Sequence, residues 1–129
     1  MSLTREQVLA MTTGDELDIQ VSTLVMGFEI RKIDRDEHSY DEFFFRDGIK
    51  YENVNYRDEW QPSRFIDKAW EVEEKLLLKH PGVQTRYVWR LRLVTGWEDK
   101  QPSFREDFKL IHATPEQRCK AALLAVLNL

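Results

Sequence analysis

The residue best placed for acid–base chemistry in this sequence is a single glutamate, Glu73. It lies in segment 62–80, where apolar residues recur at helical spacing and predict a helix. At ~100° per residue, Glu73 falls inside the apolar arc of that helix, close to Trp70. A carboxylate there could hold a proton near neutral pH and act as a general acid or base. The alternative is a structural role, at the edge of the packing or in an ion pair with Arg90 or Arg92.

The histidines, the cysteine and the glycines give little support to metal or nucleophilic chemistry. His38, His80 and His112 share no ligand spacing, so the sequence predicts no metal site. Cys119 occupies a helical core position, where burial makes a thiol unreactive. The sequence has no G-x-S-x-G, no G-x-G-x-x-G and no phosphate-binding loop with lysine, which argues against a serine hydrolase and against nucleotide binding. We therefore expect no cofactor.

Basic residues could gather on two segments that we interpret as antiparallel strands, 87–94 and 104–112. Each segment alternates between an apolar face and a mixed face. The basic residues that could share the mixed face are Arg86, Arg90, Arg92, Arg105 and Lys109. With aromatic rings nearby, such a face could bind single-stranded nucleic acid. Glu106 and Asp107 reduce the positive charge of this face, and the net charge of −4 makes a solvated face the simpler interpretation.

Aromatic residues are concentrated around a predicted hairpin in the middle of the chain. Asp47-Gly48 suits a type I′ turn between the strands. The aromatic residues are Tyr40, Phe43, Phe44, Phe45, Tyr51, Tyr56 and Trp60. Because side chains alternate along a strand, one aromatic face could meet a partner or a second copy; alternatively, helices cover both faces. Together with the two arginines, the candidate binding residues are Phe44, Tyr51, Trp60, Arg90 and Arg92.

Helical segments are expected on both sides of this middle part. Two short helices are predicted within residues 1–27, each beginning at a threonine whose capping partner stands three residues later. Alternation predicts a strand at 28–33. The closing helix begins at the N-cap Thr114 with Gln117 as its capping-box partner, and no charged residue falls between Ala121 and Leu129. Such a segment must dock into a core or against a partner.

The composition describes one ordinary globular domain. The chain has 129 residues, of which 42% are hydrophobic and 33% are charged. No apolar run approaches the ~20 residues that cross a bilayer, and no secretory signal opens the sequence. A single cysteine cannot form an internal disulfide. We therefore expect one domain over residues 1–129, in the cytoplasm of the cell and away from membranes.

Four blocks of the sequence occur in a recognisable order. They are residues 4–27, the Asp47-Gly48 hairpin, the helix with Ala69-Trp70-Glu71-Val72, and the stretch from Cys119 through residues 121–125. Together they resemble the phage ABA sandwich domain, a family of small bacteriophage and prophage proteins. The resemblance implies α-β-α layers and a bacterial host cell, and it brings no established activity. Phe65 and Glu73 depart from the family pattern.

We therefore predict an α+β fold, an α-β-α sandwich with a small, mostly antiparallel sheet between helices. The predicted function is that of a non-enzymatic phage accessory protein that binds a protein partner or a second copy of itself. Two alternatives stay open. One is a small-ligand or enzymatic site that uses Glu73 and the Arg90/Arg92 face, and the other is nucleic-acid binding.

Overall fold

The computed structural model of the chain describes residues 2–34, 36–37, 40–46, 49–50, 60–96 and 104–129. The helices are α1 (Arg5–Ala10), α2 (Asp15–Gln20), α3 (Ile66–Leu76), α4 (Pro81–Val94), α5 (Phe104–Ile111) and α6 (Pro115–Leu127). A π-helical segment, Val21–Val25, continues α2. The strands are β1 (Glu29–Asp34), β2 (Tyr40–Arg46) and β3 (Ile49–Lys50). In this description no helix combines the length and apolar character that a membrane span needs.

Two of the three predicted capping boxes are present. Thr4 accepts from the Gln7 amide, and Thr114 accepts from the Gln117 amide, with both glutamine side chains returning the bond. The box predicted at Thr13 is wrong, because α2 begins one residue later, after Gly14. The Thr13 amide instead donates to Glu116 at 2.6 Å, so this threonine joins the start of α2 to α6.

The closing helix is buried as its sequence predicted. From Ala121 to Ala125 every residue is buried, and Cys119 lies one turn earlier in the same core. Helix α6 packs against α1, α2, the π-helical segment, α3 and α4. Its alanines let these neighbours approach closely, because a short side chain leaves little between two helix backbones. Helices α1 to α4 and the π-helical segment are therefore arranged around α6.

Trp60 joins the segment before α3 to this core. Its indole N–H donates to the Ser22 hydroxyl at 2.7 Å, and that hydroxyl donates to the Asp18 carbonyl at 2.5 Å. The Phe28 ring meets the Trp60 ring edge to face, with centroids 5.5 Å apart. The Asp18 carboxylate accepts from the Ser63 amide at 2.8 Å. These buried polar groups have the partners that burial requires.

The two long predicted strands are helices. Segment 87–94 belongs to α4 and segment 104–112 contains α5. Pro81 suits the first turn of α4, and the N-cap His80 accepts from the Gly82 amide at 3.0 Å. The alternation of Tyr87, Trp89, Leu91 and Leu93 suggested a strand. In the helix only Leu91 of these four is fully buried, while Trp89 and Leu93 are exposed.

The predicted hairpin is present and the predicted layering is not. β1 and β2 pair antiparallel from Glu29 with Phe45 to Asp34 with Tyr40, and β2 pairs with β3. The described buried core comes from helices and the segments that join them. The α-β-α sandwich prediction is therefore wrong, because the described chain is mostly helical and its core packs helix on helix. The Asp47-Gly48 turn lies outside the described residues.

Replacing Trp60 by alanine should lower the free energy of unfolding by about 3–5 kcal/mol, because it leaves a cavity. Urea unfolding followed by circular dichroism measures this loss. Trp89 is a matched control, since it is half-exposed on α4. Its replacement by alanine should cost less than about 1 kcal/mol. Equal losses at the two positions would contradict the core role of Trp60.

Candidate functional site

A groove of about 410 Å³ lies between α3 and α4, and Glu73 stands in its wall. Both helices pack against α6. The lining residues are Trp70, Glu73, Glu74, Leu76, Leu77, Gln84, Tyr87 and Val88. Most of this lining is apolar. The groove is therefore hydrophobic, and it carries the carboxylates of Glu73 and Glu74 on its α3 side.

Helix α3 has two apolar stripes, and only one faces the core. Ala69, Val72 and Leu76 are buried at helical spacing, as the sequence predicted. The second stripe is exposed, with Trp70 at 52% and Leu77 at 69% of their full accessible surface. Helical periodicity in the sequence widens the core stripe to include these two residues, because it shows which residues share a face and not whether that face is covered.

Glu73 is engaged by two side chains from other helices. The Tyr87 hydroxyl of α4 donates to Glu73 Oε1, and so does Arg118 Nη1 of α6, at 2.5 Å. The Glu73 side chain is 27% exposed and that of Arg118 is 11% exposed. The ion pair predicted with Arg90 or Arg92 is therefore made with Arg118 instead. We missed Arg118 because no local spacing signals a pair 45 residues apart.

Arg118 also holds the end of α5. Its Nη2 donates to the Ile111 carbonyl and its Nε to the Ala113 carbonyl, both at 3.0 Å. Carbonyls at a helix C-terminus lack partners within the helix and favour a positive charge. One guanidinium therefore connects the groove wall, through Glu73, to the C-terminal end of α5.

The Tyr87 hydroxyl is held in its protonated form. Burial raises the pKa of Tyr87, and the hydrogen bond to Glu73 raises it further. The hydroxyl can therefore serve as the donor that the Glu73 carboxylate needs. Burial likewise raises the pKa of the Cys119 thiol, with smaller contributions from Asp18 and Glu116. The thiol is consequently a core group and a poor nucleophile, as the sequence indicated.

The structure does not assemble the five predicted binding residues into a site among the residues it describes. Trp60 is fully buried in the core and is not available at a surface. Arg90 and Arg92 lie on a helix, and neither lines the groove. The Phe44 backbone lies on β2, but its side chain and all of Tyr51 fall outside the described residues.

The prediction that two strands carry a basic face is wrong, because both segments are helices. Several of its residues have other contacts. Arg86 donates to the Ala125 carbonyl at 3.0 Å, and Lys109 donates to the Gly96 carbonyl at 3.2 Å. Arg92 lies over the Trp89 ring at 4.7 Å from its centroid. Over the described ranges, no group of three or more histidine, cysteine or acidic side chains could hold a metal ion.

A family model described as the phage ABA sandwich domain matches residues 20–123. The matched span includes α3, α4 and Arg118, and so the whole groove and its ion pair. It confirms the resemblance noted in the sequence. No curated protein and no solved structure matches the chain.

A double-mutant cycle tests the Glu73–Arg118 pair. Glu73→Gln and Arg118→Met should each lower the free energy of unfolding by about 1–3 kcal/mol, because each leaves a largely buried polar group without its partner. The losses should be non-additive by at least about 0.5 kcal/mol, which urea unfolding of the double variant measures. Strictly additive losses would show that the pair contributes nothing to stability.

Alkaline unfolding tests Tyr87. Its folded-state pKa lies above the unfolded value of about 10, so its contribution is fully present below about pH 10 and is lost as pH rises further. Relative to Tyr87→Phe, the wild type should lose about 1.4 kcal/mol of unfolding free energy per pH unit above about pH 10. Urea unfolding of both proteins between about pH 8 and about pH 11 measures this difference. A constant difference would contradict the raised pKa.

Proposed function

The chain belongs to the phage ABA sandwich domain family, and on that premise we propose that it serves a phage as a non-enzymatic protein-binding module. The groove between α3 and α4 is the docking surface. Its occupant is an amphipathic helix of a protein partner, with apolar anchors and a basic residue beside them. The observation that carries this proposal is the exposed apolar lining of the groove.

The groove lining favours an apolar ligand surface. Trp70 and Leu77 on α3 are more than half exposed, and Val88 on α4 is nearly half exposed. Neighbouring apolar side chains in a concave surface are typical of protein-binding sites. A channel between two helices suits a third helix, whose apolar face inserts side chains at helical spacing.

The charges at the groove indicate which kind of helix would bind there. Glu74 is exposed at the groove, and Glu73 is partly exposed beside it. No lysine or arginine is among the residues that line the described groove. A partner with lysine or arginine next to its apolar anchors would therefore find a complementary charge. The Trp70 ring adds a surface on which a cation can lie.

The contacts of Glu73 support binding over catalysis. Its Oε1 atom already accepts from Arg118 and Tyr87, so this glutamate joins three helices. The enzymatic alternative also invoked Arg90 and Arg92, and neither reaches the groove lining. An acid–base role would need a carboxylate that changes its protonation without loosening the helices around it.

Peptide binding tests the docking surface. The probes are two labelled helical peptides, one of leucine and lysine and one of leucine and glutamate, followed by fluorescence anisotropy. The lysine peptide should bind at least tenfold more tightly, because the groove carries carboxylates. Trp70→Asp should weaken its binding by about 30-fold, as expected for an aromatic anchor.

The matched control is Leu9→Asp, which places the same charge on a partly exposed apolar position of α1 that does not line the groove. It should bind the lysine peptide like the wild type. Circular dichroism checks that both variants are folded. Binding that is equally strong in the Trp70→Asp protein, or absent from the wild type, would refute the groove as the docking surface.

A further inference from the structure

We propose that the helix received by the groove is α5 of a second copy of the same chain. This inference rests on the proposed function and names the partner. Its basis is a second apolar surface near the groove, which is exposed among the residues that the structure describes. Two such surfaces on one molecule can cover each other when two copies meet.

Helix α5 turns part of its apolar surface outward. Phe108 is 60% exposed and Ile111 is 69% exposed, three residues apart on one face of the helix. Leu110 lies on the other side and packs near Leu91 and Ala113. The spacing of Phe108 and Ile111 is that of the anchors by which a helix binds a groove.

Helix α5 carries charges of both signs, with Arg105 and Lys109 against Glu106 and Asp107. His112 stacks on Phe108 with ring centroids 4.1 Å apart, and Lys109 lies between Phe108 and His112 in the chain. Lys109 donates to the Gly96 carbonyl, in a bond exposed to solvent. The groove offers the exposed carboxylate of Glu74. Lys109 therefore supplies the basic residue that the groove favours beside the apolar anchors.

The position of Arg118 makes a closed dimer of two copies geometrically reasonable. Its guanidinium contacts both Glu73 in the groove wall and the Ile111 carbonyl at the end of α5. The wall of the groove and the C-terminal end of α5 are therefore neighbours on the molecule. A twofold axis passing between them sets α5 of each copy in the groove of the other. Such an arrangement closes on itself and yields a dimer.

Sedimentation velocity over a concentration series tests the dimer. The wild type should sediment as a dimer, and Ile111→Asp should raise its dissociation constant by at least about 30-fold. Trp70→Asp should have a similar effect from the other side of the contact. Leu9→Asp is again the control and should stay dimeric, since Leu9 lies on neither surface.

Mixing the two defective variants tests the reciprocal geometry. Ile111→Asp keeps an intact groove and Trp70→Asp keeps an intact α5, so the mixture should form heterodimers through one of the two contacts. Differently labelled proteins should show energy transfer in the mixture and not in either variant alone. A contact of groove with groove would give no such rescue.

The outcomes separate this inference from the proposed function. A wild type that is monomeric at every concentration, or a dimer that survives Ile111→Asp, would overturn the inference. If the lysine peptide still binds in a manner that depends on Trp70, the groove remains a docking surface for another protein. Loss of that peptide binding in the wild type would refute the proposed function itself.

Discussion

The buried guanidinium of Arg118 is the interaction on which the arrangement of the surrounding helices depends. A charged group with so little exposure is costly unless its donors are satisfied. Here all three of its nitrogens have acceptors: the Glu73 carboxylate and the carbonyls of Ile111 and Ala113. Through these bonds, α3 and the end of α5 have fixed positions on α6. Tyr87 adds α4 by donating to the same carboxylate. The presence of Glu73 within the apolar arc of α3 follows from that demand.

Local signals predicted the elements that depend on local chemistry. The capping boxes at Thr4 and Thr114 need only residues three apart, and both are present. The burial of Cys119 followed from its helical spacing, and that of the residues from Ala121 to Ala125 from the absence of charge there. The pairing of β2 with β3 agrees with the predicted hairpin.

The wrong predictions come from sequence patterns that are compatible with both a strand and a helix. Four apolar residues at alternate positions, from Tyr87 to Leu93, predict a strand only if one face is buried. In α4 two of these four side chains are exposed, so the apolar character of a residue does not indicate its burial there. The sandwich prediction failed with those strands. In the site, the pattern found Glu73 but not Arg118, because a contact between distant helices has no periodicity in the sequence.

The π-helical segment bears on how this chain tolerates changes in length. A π-turn holds one residue more than a turn of α-helix, and here it carries Ser22. Deleting Val21 would let α2 continue regularly, while Ser22 and every later side chain would rotate by about 100° around the axis. The hydroxyl that receives the Trp60 indole would then point elsewhere. Homologous chains that keep the tryptophan should therefore also keep the residue count of this turn, even where its side chains differ.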